Sequence, residues 1–490
     1  MTGTDSKFTD SPEVILPTGV SRWIPLSHLP LRISERKVLL RLLDVLMLNS
    51  SLLLIAWLRL GMSLSWKTIL ARPQWFALLT LLWLLLAPVF DAYSLKKASS
   101  LRESMQCVTK SALLTLFIYL LIPYITPYLL PSRLATGLFV AFTLSFLSFG
   151  RALYALTLAQ PFFQRKALII GAGGAGRTIA QVITRTVISD YQLVGYIDDD
   201  PAKEGRIIEG IPVLGTHEDL VSLVRALDVD EVILAITHLH EVHDDLFRAI
   251  LNCQELGFRI THMPELYERI TGMVPVEHSG RNLQVLLPPD HAPTTRLYAG
   301  LKRLVDILIS LVGLTVLGVL LPFIALALYL DSPGPIFYAQ HRVGKGRKIF
   351  RLFKLRTMIP NAEGKGEAVW AGKGDPRVTR VGRFLRVTHI DELPQFISVL
   401  KGEMSVVGPR PERPEFVAEL EKRIPFYLLR HSVLPGMAGW ALIKQGYGSS
   451  VEDALVKVQY DLYYIKHQSV WLDLIVLLKT FGNMLTFRGR

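Results

Sequence analysis

Hydrophobic residues are concentrated in long stretches in the first third of the chain. Four such stretches follow a polar segment, at positions 42–60, 75–90, 112–130 and 134–158. Each approaches the ~20 residues that an α-helix needs to cross ~30 Å of hydrocarbon. We therefore predict a cytoplasmic tail over residues 1–35 and a four-helix transmembrane bundle over residues 36–160. A short core helix is the alternative for any one stretch, but four in succession favour a membrane domain.

The basic residues around these stretches predict their orientation. Lys and Arg precede the first stretch, separate the second from the third, and follow the fourth. Because such residues are retained on the cytoplasmic side, both ends of the bundle should face the cytoplasm. Lys67 and Arg72, between the first and second stretches, oppose this orientation.

Residues 161–280 show a different pattern, in which short apolar runs alternate with amphipathic segments. Strand patterns occur at 166–171, 193–197, 231–236 and 258–262, with helical periodicity between them. This alternation predicts right-handed βαβ units in a Rossmann-like α/β domain. A Pro-containing linker is expected over residues 281–300.

A glycine fingerprint lies between the first predicted strand and the following helix. Gly171, Gly173 and Gly176 form the fingerprint, and Asp198 follows at roughly the ~20-residue separation of a dinucleotide site. The helix N-terminus would then bind the phosphate of a nucleotide or of NAD. Tight packing of helix on strand is the alternative explanation of the glycines.

A fifth apolar segment at 304–330 differs from the other four because basic residues flank both of its ends. A simple crossing would place one basic cluster outside the cell, against the usual charge bias. Pro322 lies within the segment, and an internal proline kinks a helix. We predict a re-entrant membrane helix that opens a mostly helical monotopic domain over residues 301–490. An ordinary fifth crossing is the alternative.

The composition fits a basic membrane protein. Half of the 490 residues are hydrophobic, 20% are charged, and the net charge is +12. An excess of positive charge favours partners that carry phosphate, such as lipid headgroups, nucleotides or nucleic acid. Only two cysteines are present, Cys107 and Cys253, so a disulfide scaffold or four-cysteine metal site is excluded.

The candidate chemistry lies between residues 342 and 410, where basic residues surround the adjacent acids Asp391 and Glu392. Cationic neighbours favour the charged form of a carboxylate, so Asp391 should be an ionised nucleophile or metal ligand. Glu392 and Asp391 together offer the hard oxygens that Mg²⁺ prefers. A solvated helix start is the alternative for the acidic pair. The candidate phosphate-binding residues are Lys354, Arg356, Arg377, Arg380, Arg383, Arg386 and Arg410.

Seven motifs occur in order along this part of the chain. They are DSPGP at 331–335, QHRVG at 340–344, FKLRTM at 353–358, DPRVTRVGRFLR at 375–386, DELPQ at 391–395, VGPRP at 407–411 and PG at 435–436. Together they resemble the bacterial sugar transferase domain of polyprenyl-phosphate hexose-1-phosphate transferases, or monotopic phosphoglycosyl transferases. The preceding spans and α/β domain resemble the large form of that family.

The resemblance implies transfer of hexose 1-phosphate from a UDP-sugar, with glucose or galactose favoured, to undecaprenyl phosphate with release of UMP. Asp391 would form a covalent phosphosugar intermediate, Glu392 would assist with Mg²⁺, Arg386 and Arg410 would engage phosphate, and Pro322 would bend the membrane helix. The resemblance also implies a bacterial inner-membrane location with a cytoplasmic catalytic domain, membrane lipids as neighbours, a homodimer, and no nucleic-acid partner.

Four positions depart from the family pattern, and two other functions are alternatives. The departures are Leu321, Ser398, Ala438 and Leu442. A membrane-bound NAD-dependent dehydratase would need a Tyr-x-x-x-Lys pair, which Tyr298 and Lys302 formally supply beside a proline-rich, membrane-proximal segment. A non-enzymatic, nucleotide-sensing scaffold would leave the acidic pair without a role.

Overall fold

The computed structural model describes residues 33–62, 66–122, 124–129, 132–157, 164–185, 191–237, 242–278, 296–360, 362, 375–446 and 450–485. Most of the predicted tail and of the predicted linker therefore lies outside the described residues. The α-helices are α1 (Ile33–Leu60), α2 (Trp66–Ala71), α3 (Pro73–Leu86), α4 (Leu95–Ser99), α5 (Leu101–Leu121), α6 (Arg133–Thr157), α7 (Gly174–Arg185), α8 (Leu220–Ala226), α9 (Asp244–Glu255), α10 (Met263–Thr271), α11 (Arg296–Asp331), α12 (Arg380–Val387), α13 (Phe396–Lys401), α14 (Pro414–Arg423), α15 (Trp440–Lys444), α16 (Val451–Lys466) and α17 (Val470–Leu485).

The strands form one large sheet and two small ones. They are β1 (Arg165–Ile170), β2 (Tyr191–Ile197), β3 (Ile207–Ile208), β4 (Ile211–Gly215), β5 (Glu231–Leu234), β6 (Arg259–His262), β7 (Phe337–Val343), β8 (Ile349–Leu355), β9 (Ser405–Val407) and β10 (Gly436–Ala438). The 3₁₀ segments are Ala87–Phe90, His217–Asp219, Val276–His278, Lys345–Arg347, Ile390–Gln395 and Tyr427–Ser432.

Helices α1, α5 and α6 are long and apolar enough to cross a membrane, and so is α3 together with the 3₁₀ segment Ala87–Phe90, as the hydrophobic pattern predicted. Helix α5 ends at Leu121, earlier than the predicted 130, because proline follows at 123 and the preceding Ile122 is extended. Asp44 of α1 and Arg151 of α6 form a buried ion pair of 2.5 Å. Since single buried charges are costly in a membrane, this pair holds the two helices in one register.

The α/β domain contains a six-stranded sheet in the order β3-β4-β2-β1-β5-β6. Strands β4, β2, β1, β5 and β6 run parallel, and only β3 pairs antiparallel. The four predicted strands are present, so the α/β prediction is confirmed at this level. The β3–β4 hairpin was missed because β3 is only two residues long and Pro212 interrupts the strand pattern of β4.

Helix α11 is continuous over 36 residues and contains Pro322, which makes it about 54 Å long at 1.5 Å per residue. It begins eight residues before the predicted 304. One face packs on the C-terminal domain along the whole helix. Near its start Asp306 accepts a hydrogen bond from the Val406 amide at 2.8 Å. At its end Asp331 accepts one from the Val381 amide at 2.9 Å.

The opposite face of α11 is apolar and exposed. This description applies to Leu304, Leu308, Leu311, Val312, Val319, Phe323, Leu326 and Leu330. A helix packed on protein along one side and apolar along the other is suited to lie against lipid hydrocarbon.

The α/β domain is joined to the C-terminal domain by the segment after α10. The Val274 amide donates a hydrogen bond to the Gln459 carbonyl at 3.1 Å, and Val274 and Val276 are buried in the C-terminal apolar core. Lys466 also forms an ion pair of 2.7 Å with Glu268 of α10. The C-terminal core therefore includes residues that the sequence assigned to the preceding domain.

Candidate active site

The acidic pair lies on the 3₁₀ segment Ile390–Gln395, between α12 and α13. His389 precedes this segment with φ of 57°, a left-handed conformation that few side chains adopt. Pro394 has no amide hydrogen to donate to a regular helical hydrogen bond, so the segment forms a tight turn before α13. The turn places Asp391 in the protein interior, with 7% of its surface exposed.

Glu392 receives two cations on a single oxygen atom. Lys354 of β8 and Arg410, which follows β9, lie 2.8 Å and 2.7 Å from its Oε1. Although burial alone would raise the pKa of the Glu392 carboxyl, Arg410 and Lys354 hold that pKa well below its ordinary value. Glu392 is therefore an ionised anchor for two residues that were predicted to bind phosphate.

Asp391 has a different environment from its neighbour. Among the described residues none donates a hydrogen bond to its carboxylate, and two of the cations around it, Lys354 and Arg410, are engaged by Glu392. Burial, reinforced by the Glu392 charge, raises the pKa of Asp391 to about 6 despite Lys354. The prediction that cations would dominate is wrong in direction, because desolvation outweighs their attraction. At neutral pH the group is still mostly ionised, with its oxygens available for reaction.

The remaining predicted basic residues divide into three groups. Arg386 donates to the Thr357 hydroxyl at 2.8 Å and lies close enough to lower the pKa of Asp391. Arg356 donates to the carbonyls of Ser332 and Pro333, and Arg377 forms an ion pair of 2.6 Å with Asp375. Arg380 and Arg383 are exposed on α12. The structure thus brings Lys354, Arg386 and Arg410 around the acidic pair, whereas Arg356 and Arg377 bind protein groups.

Two glycines of the fingerprint, Gly171 and Gly173, line a cavity of about 590 Å³ at the carboxyl ends of β1, β2 and β5. Gly176 packs so closely on the Gly171 carbonyl that a Cβ there would overlap it, whereas a Cβ at Gly173 would meet open space. Packing therefore explains Gly176 and leaves Gly173 unexplained.

Asp198 is already engaged within the glycine loop. Its carboxylate accepts hydrogen bonds from the amides of Ala172, at 2.7 Å, and Asp200, at 3.0 Å, and from Lys203 at 3.0 Å. A residue that binds ribose hydroxyls needs free carboxylate oxygens. The side chain supports the loop, and Asp198 also lines the glycine-rich cavity, so its contact with a cofactor stays a prediction.

The dehydratase alternative is not supported. Tyr298 and Lys302 both lie on α11, where each donates a hydrogen bond to Asp473 of α17. Lys302 also donates to the Val407 carbonyl at 3.0 Å. These contacts fix α11 to the C-terminal domain, and neither side chain lines the glycine-rich cavity.

Sequence reasoning missed Arg430, which lies outside the basic block. Its guanidinium is 5% exposed, pairs with the equally buried Asp461 at 2.8 Å, and donates to the Arg410 carbonyl at 3.0 Å. An arginine on an irregular segment has no sequence pattern that distinguishes it from a surface residue. Only the fold brings it behind Arg410.

A membrane domain, a parallel α/β domain and a buried carboxylate pair among cations define a membrane-associated protein suited to phosphate chemistry. The family of bacterial sugar transferases matches residues 297–487, and a CoA-binding domain family matches residues 88–264.

Among curated proteins, a UDP-N-acetylgalactosamine-undecaprenyl-phosphate N-acetylgalactosaminephosphotransferase of Aeromonas hydrophila is 42% identical over 49% of this chain and 56% of its own length. Two proteins named UDP-glucose:undecaprenyl-phosphate glucose-1-phosphate transferase are also similar. The one from Escherichia coli (strain K12) is 33% identical over 65% of this chain and 67% of its own length. The one from Caulobacter vibrioides is 39% identical over 42% of this chain and 78% of its own length.

The chain belongs to the bacterial sugar transferase family, which confirms the resemblance seen in the motifs. The matched stretch spans little more than half of the Aeromonas protein, at 56% of its length.

Proposed function

We propose that this protein transfers hexose 1-phosphate from a UDP-sugar to undecaprenyl phosphate and releases UMP, initiating a surface polysaccharide. The observation that carries the proposal is the buried Asp391 carboxylate, which accepts no hydrogen bond from the residues that the structure describes. Beside it, Glu392 binds Lys354 and Arg410. Relatives named for glucose and for N-acetylgalactosamine transfer support this class of donor. The hexose itself is the variable to be tested.

In the proposed first step an Asp391 oxygen bonds to the phosphorus that carries the sugar. The bond from that phosphorus to the UMP oxygen breaks, and UMP leaves with the electron pair. In the second step an oxygen of the lipid phosphate attacks the same phosphorus, and the bond to Asp391 breaks to restore the carboxylate. Lys354 and Arg410 supply fixed positive charge beside the developing negative charge in both steps.

The carboxylate oxygens of the acidic pair fit Mg²⁺ only in part. One Glu392 oxygen already contacts two cations, which leaves its second oxygen and the Asp391 carboxylate as the hard ligands on the chain. Phosphate oxygens of the donor would complete such a coordination sphere. When bound, the ion would neutralise negative charge on the diphosphate.

We also propose that α11 enters the inner leaflet and returns to the cytoplasmic side. Asp306 and Asp331, which both bind the C-terminal domain, are about 37 Å apart along the helix axis at 1.5 Å per residue. A perpendicular crossing would separate them by more than the ~30 Å hydrocarbon thickness, so the polar C-terminal domain would have to span it too. An in-plane or bent helix avoids that desolvation.

The activity is tested with purified protein, undecaprenyl phosphate, Mg²⁺ and a panel of UDP-sugars, by measuring released UMP. We expect Asp391→Asn to abolish UMP release, whereas the exposed carboxylate variant Asp245→Asn should leave it unchanged. Radiolabelled donor without acceptor should label the wild-type polypeptide covalently. Retention of most turnover in Asp391→Asn, or no labelled polypeptide, would contradict the proposed nucleophile.

The topology is tested with His341→Cys in a chain whose native Cys107 and Cys253 are replaced by serine. A membrane-impermeant maleimide added outside intact cells should label this exposed position only after the membrane is permeabilised. Labelling in intact cells would instead support a true fifth crossing.

A further inference from the structure

The loop that carries Arg410 is held by an unusual set of backbone contacts. Successive carbonyls of Pro409, Arg410, Pro411 and Glu412 each accept a hydrogen bond from outside the loop. Main-chain amides of Gly436 and Val343 hold the first and last of these at 2.8 Å and 3.0 Å. Because prolines lack an amide hydrogen, this loop cannot complete an ordinary strand pairing of its own.

The two central carbonyls are held by guanidinium groups. Arg342 donates to the Pro411 carbonyl at 3.1 Å, and Arg430 donates to the Arg410 carbonyl at 3.0 Å. Arg430 is the more deeply buried and also donates to the Tyr427 hydroxyl at 2.8 Å. A planar guanidinium can bind several acceptors in one fixed geometry, which an ammonium group cannot reproduce.

Asp461 provides the charge that keeps Arg430 in this position. The two side chains are 2% and 5% exposed and lie 2.8 Å apart, so neither has solvent as an alternative partner. Asp461 belongs to α16, a helix that packs in the C-terminal core. The loop is thereby fixed to the centre of the domain, and not only to its neighbouring strands.

We propose that Arg430 is a positioning residue for the transfer reaction: it fixes the Arg410 backbone so that the Arg410 guanidinium stays on Glu392 beside Asp391. This inference rests on the proposed function. The chain of contacts is direct, because Arg430 binds the carbonyl of the residue whose side chain lies 2.7 Å from Glu392. Arg430 itself makes no contact with the acidic pair among the described residues.

The experiment measures the rate of the first UMP release and separates positioning from folding. Replacing both buried charges by apolar residues, Arg430→Met with Asp461→Leu, removes the pair without leaving a lone charge, a change that stability often tolerates. We expect the folded variant to lose roughly 10²-fold in rate, the scale of a ~1 Å misplacement. Arg430→Lys, which keeps the charge for Asp461, should fold and still lose rate because it cannot hold both acceptors.

A double-mutant cycle with Arg410→Gln provides the readout that a structural role would not change. If Arg430 acts through Arg410, then Arg430→Lys lowers the rate in the wild-type background and has no further effect in Arg410→Gln. The matched control is Arg303→Met. It removes a guanidinium that also binds two backbone carbonyls, those of Val399 and Leu400, but not the Arg410 carbonyl. Its rate should stay close to wild type.

Equal rates for wild type and Arg430→Lys, or independent losses from Arg430→Lys and Arg410→Gln, would overturn the inference. Should the apolar double variant fail to fold, the lysine variant and the cycle decide the matter. Failure of the proposed function has a different signature, because the wild type would then release no UMP from any UDP-sugar.

Discussion

Replacing the proposed nucleophile should stabilise the protein while it removes activity. Asp391 is buried, and burial raises the pKa of its carboxyl from 3.8 to about 6. A buried carboxylate without a hydrogen-bond donor is an unfavourable group that a purely structural site would not retain. Asp391→Asn removes the charge and keeps the size of the side chain, so it isolates the free energy of ionisation.

The magnitude follows from the pKa shift. A rise in the pKa from 3.8 to about 6 corresponds to about 3 kcal/mol, since a tenfold change in an equilibrium constant is worth about 1.4 kcal/mol. The sign follows from linkage: the unfolded group ionises near pH 4, whereas the folded group holds its proton until about pH 6. Stability from the protonated carboxyl is therefore complete below pH 4 and is lost as the pH rises through 6. The gain in stability of Asp391→Asn over wild type should therefore be small at pH 4 and should reach its full value at pH 7.5.

The suitable assay is amide hydrogen exchange over residues 390–401, compared between wild type and variant at each pH. Exchange through local opening reports the free energy that exposes Asp391. At pH 7.5 the variant should exchange roughly 10²-fold more slowly, as about 3 kcal/mol requires. Exchange that is equal or faster in the variant would refute the reasoning. If the slower exchange of the variant relative to wild type does not diminish toward pH 4, then hydrogen bonding by Asn, and not removal of the charge, is responsible.

Three further outcomes are expected. Glu392→Gln removes a charge that raises the pKa of Asp391 and frees Lys354 to lower that pKa. In the pH profile of the rate of first UMP release, the fall in rate on the acid side should therefore move below pH 6. An unchanged acid side of the profile would contradict this coupling. We propose that the glycine-rich cavity binds a phosphate-bearing nucleotide; Gly173→Ala should abolish binding of fluorescent nucleotide analogues at unchanged melting temperature, and unaltered binding would refute it. Gly176→Ala should instead lower the melting temperature, since its Cβ overlaps the Gly171 carbonyl.

The hydrophobic pattern predicted much of the architecture because long apolar runs and alternating strands follow from short-range rules. Helices α3 and α6 lie within four residues of their predicted bounds, whereas α1 begins at Ile33, nine residues before the predicted 42. The end of α5 was misplaced because the apolar run continues past the prolines that stop the helix. The joining segment at Val274 and Val276 could not be assigned from periodicity, since its burial depends on the C-terminal domain.

The residues of the candidate site could be predicted from the sequence, but the role of each residue could not. Composition treats Lys354, Arg356, Arg377 and Arg410 alike, because each is a cation near an acidic pair. The structure separates them by partner: Arg356 and Arg377 bind a turn and Asp375, whereas Lys354 and Arg410 bind Glu392. Which cation meets which anion depends on the path of the backbone, and motif spacing does not determine that path.

The same separation explains why two adjacent carboxylates are needed. A single aspartate among free cations would have a low pKa and strongly bound oxygens, and both effects weaken a nucleophile. Here burial raises the pKa of Asp391 to about 6, and Glu392 contributes by adding a negative charge and by binding Lys354 and Arg410. The cations remain close enough to stabilise a phosphoryl group. Glu392 thus adds to the effect of burial on the pKa of Asp391 and holds both cations in place, which is why the Glu392→Gln pH profile tests the arrangement directly.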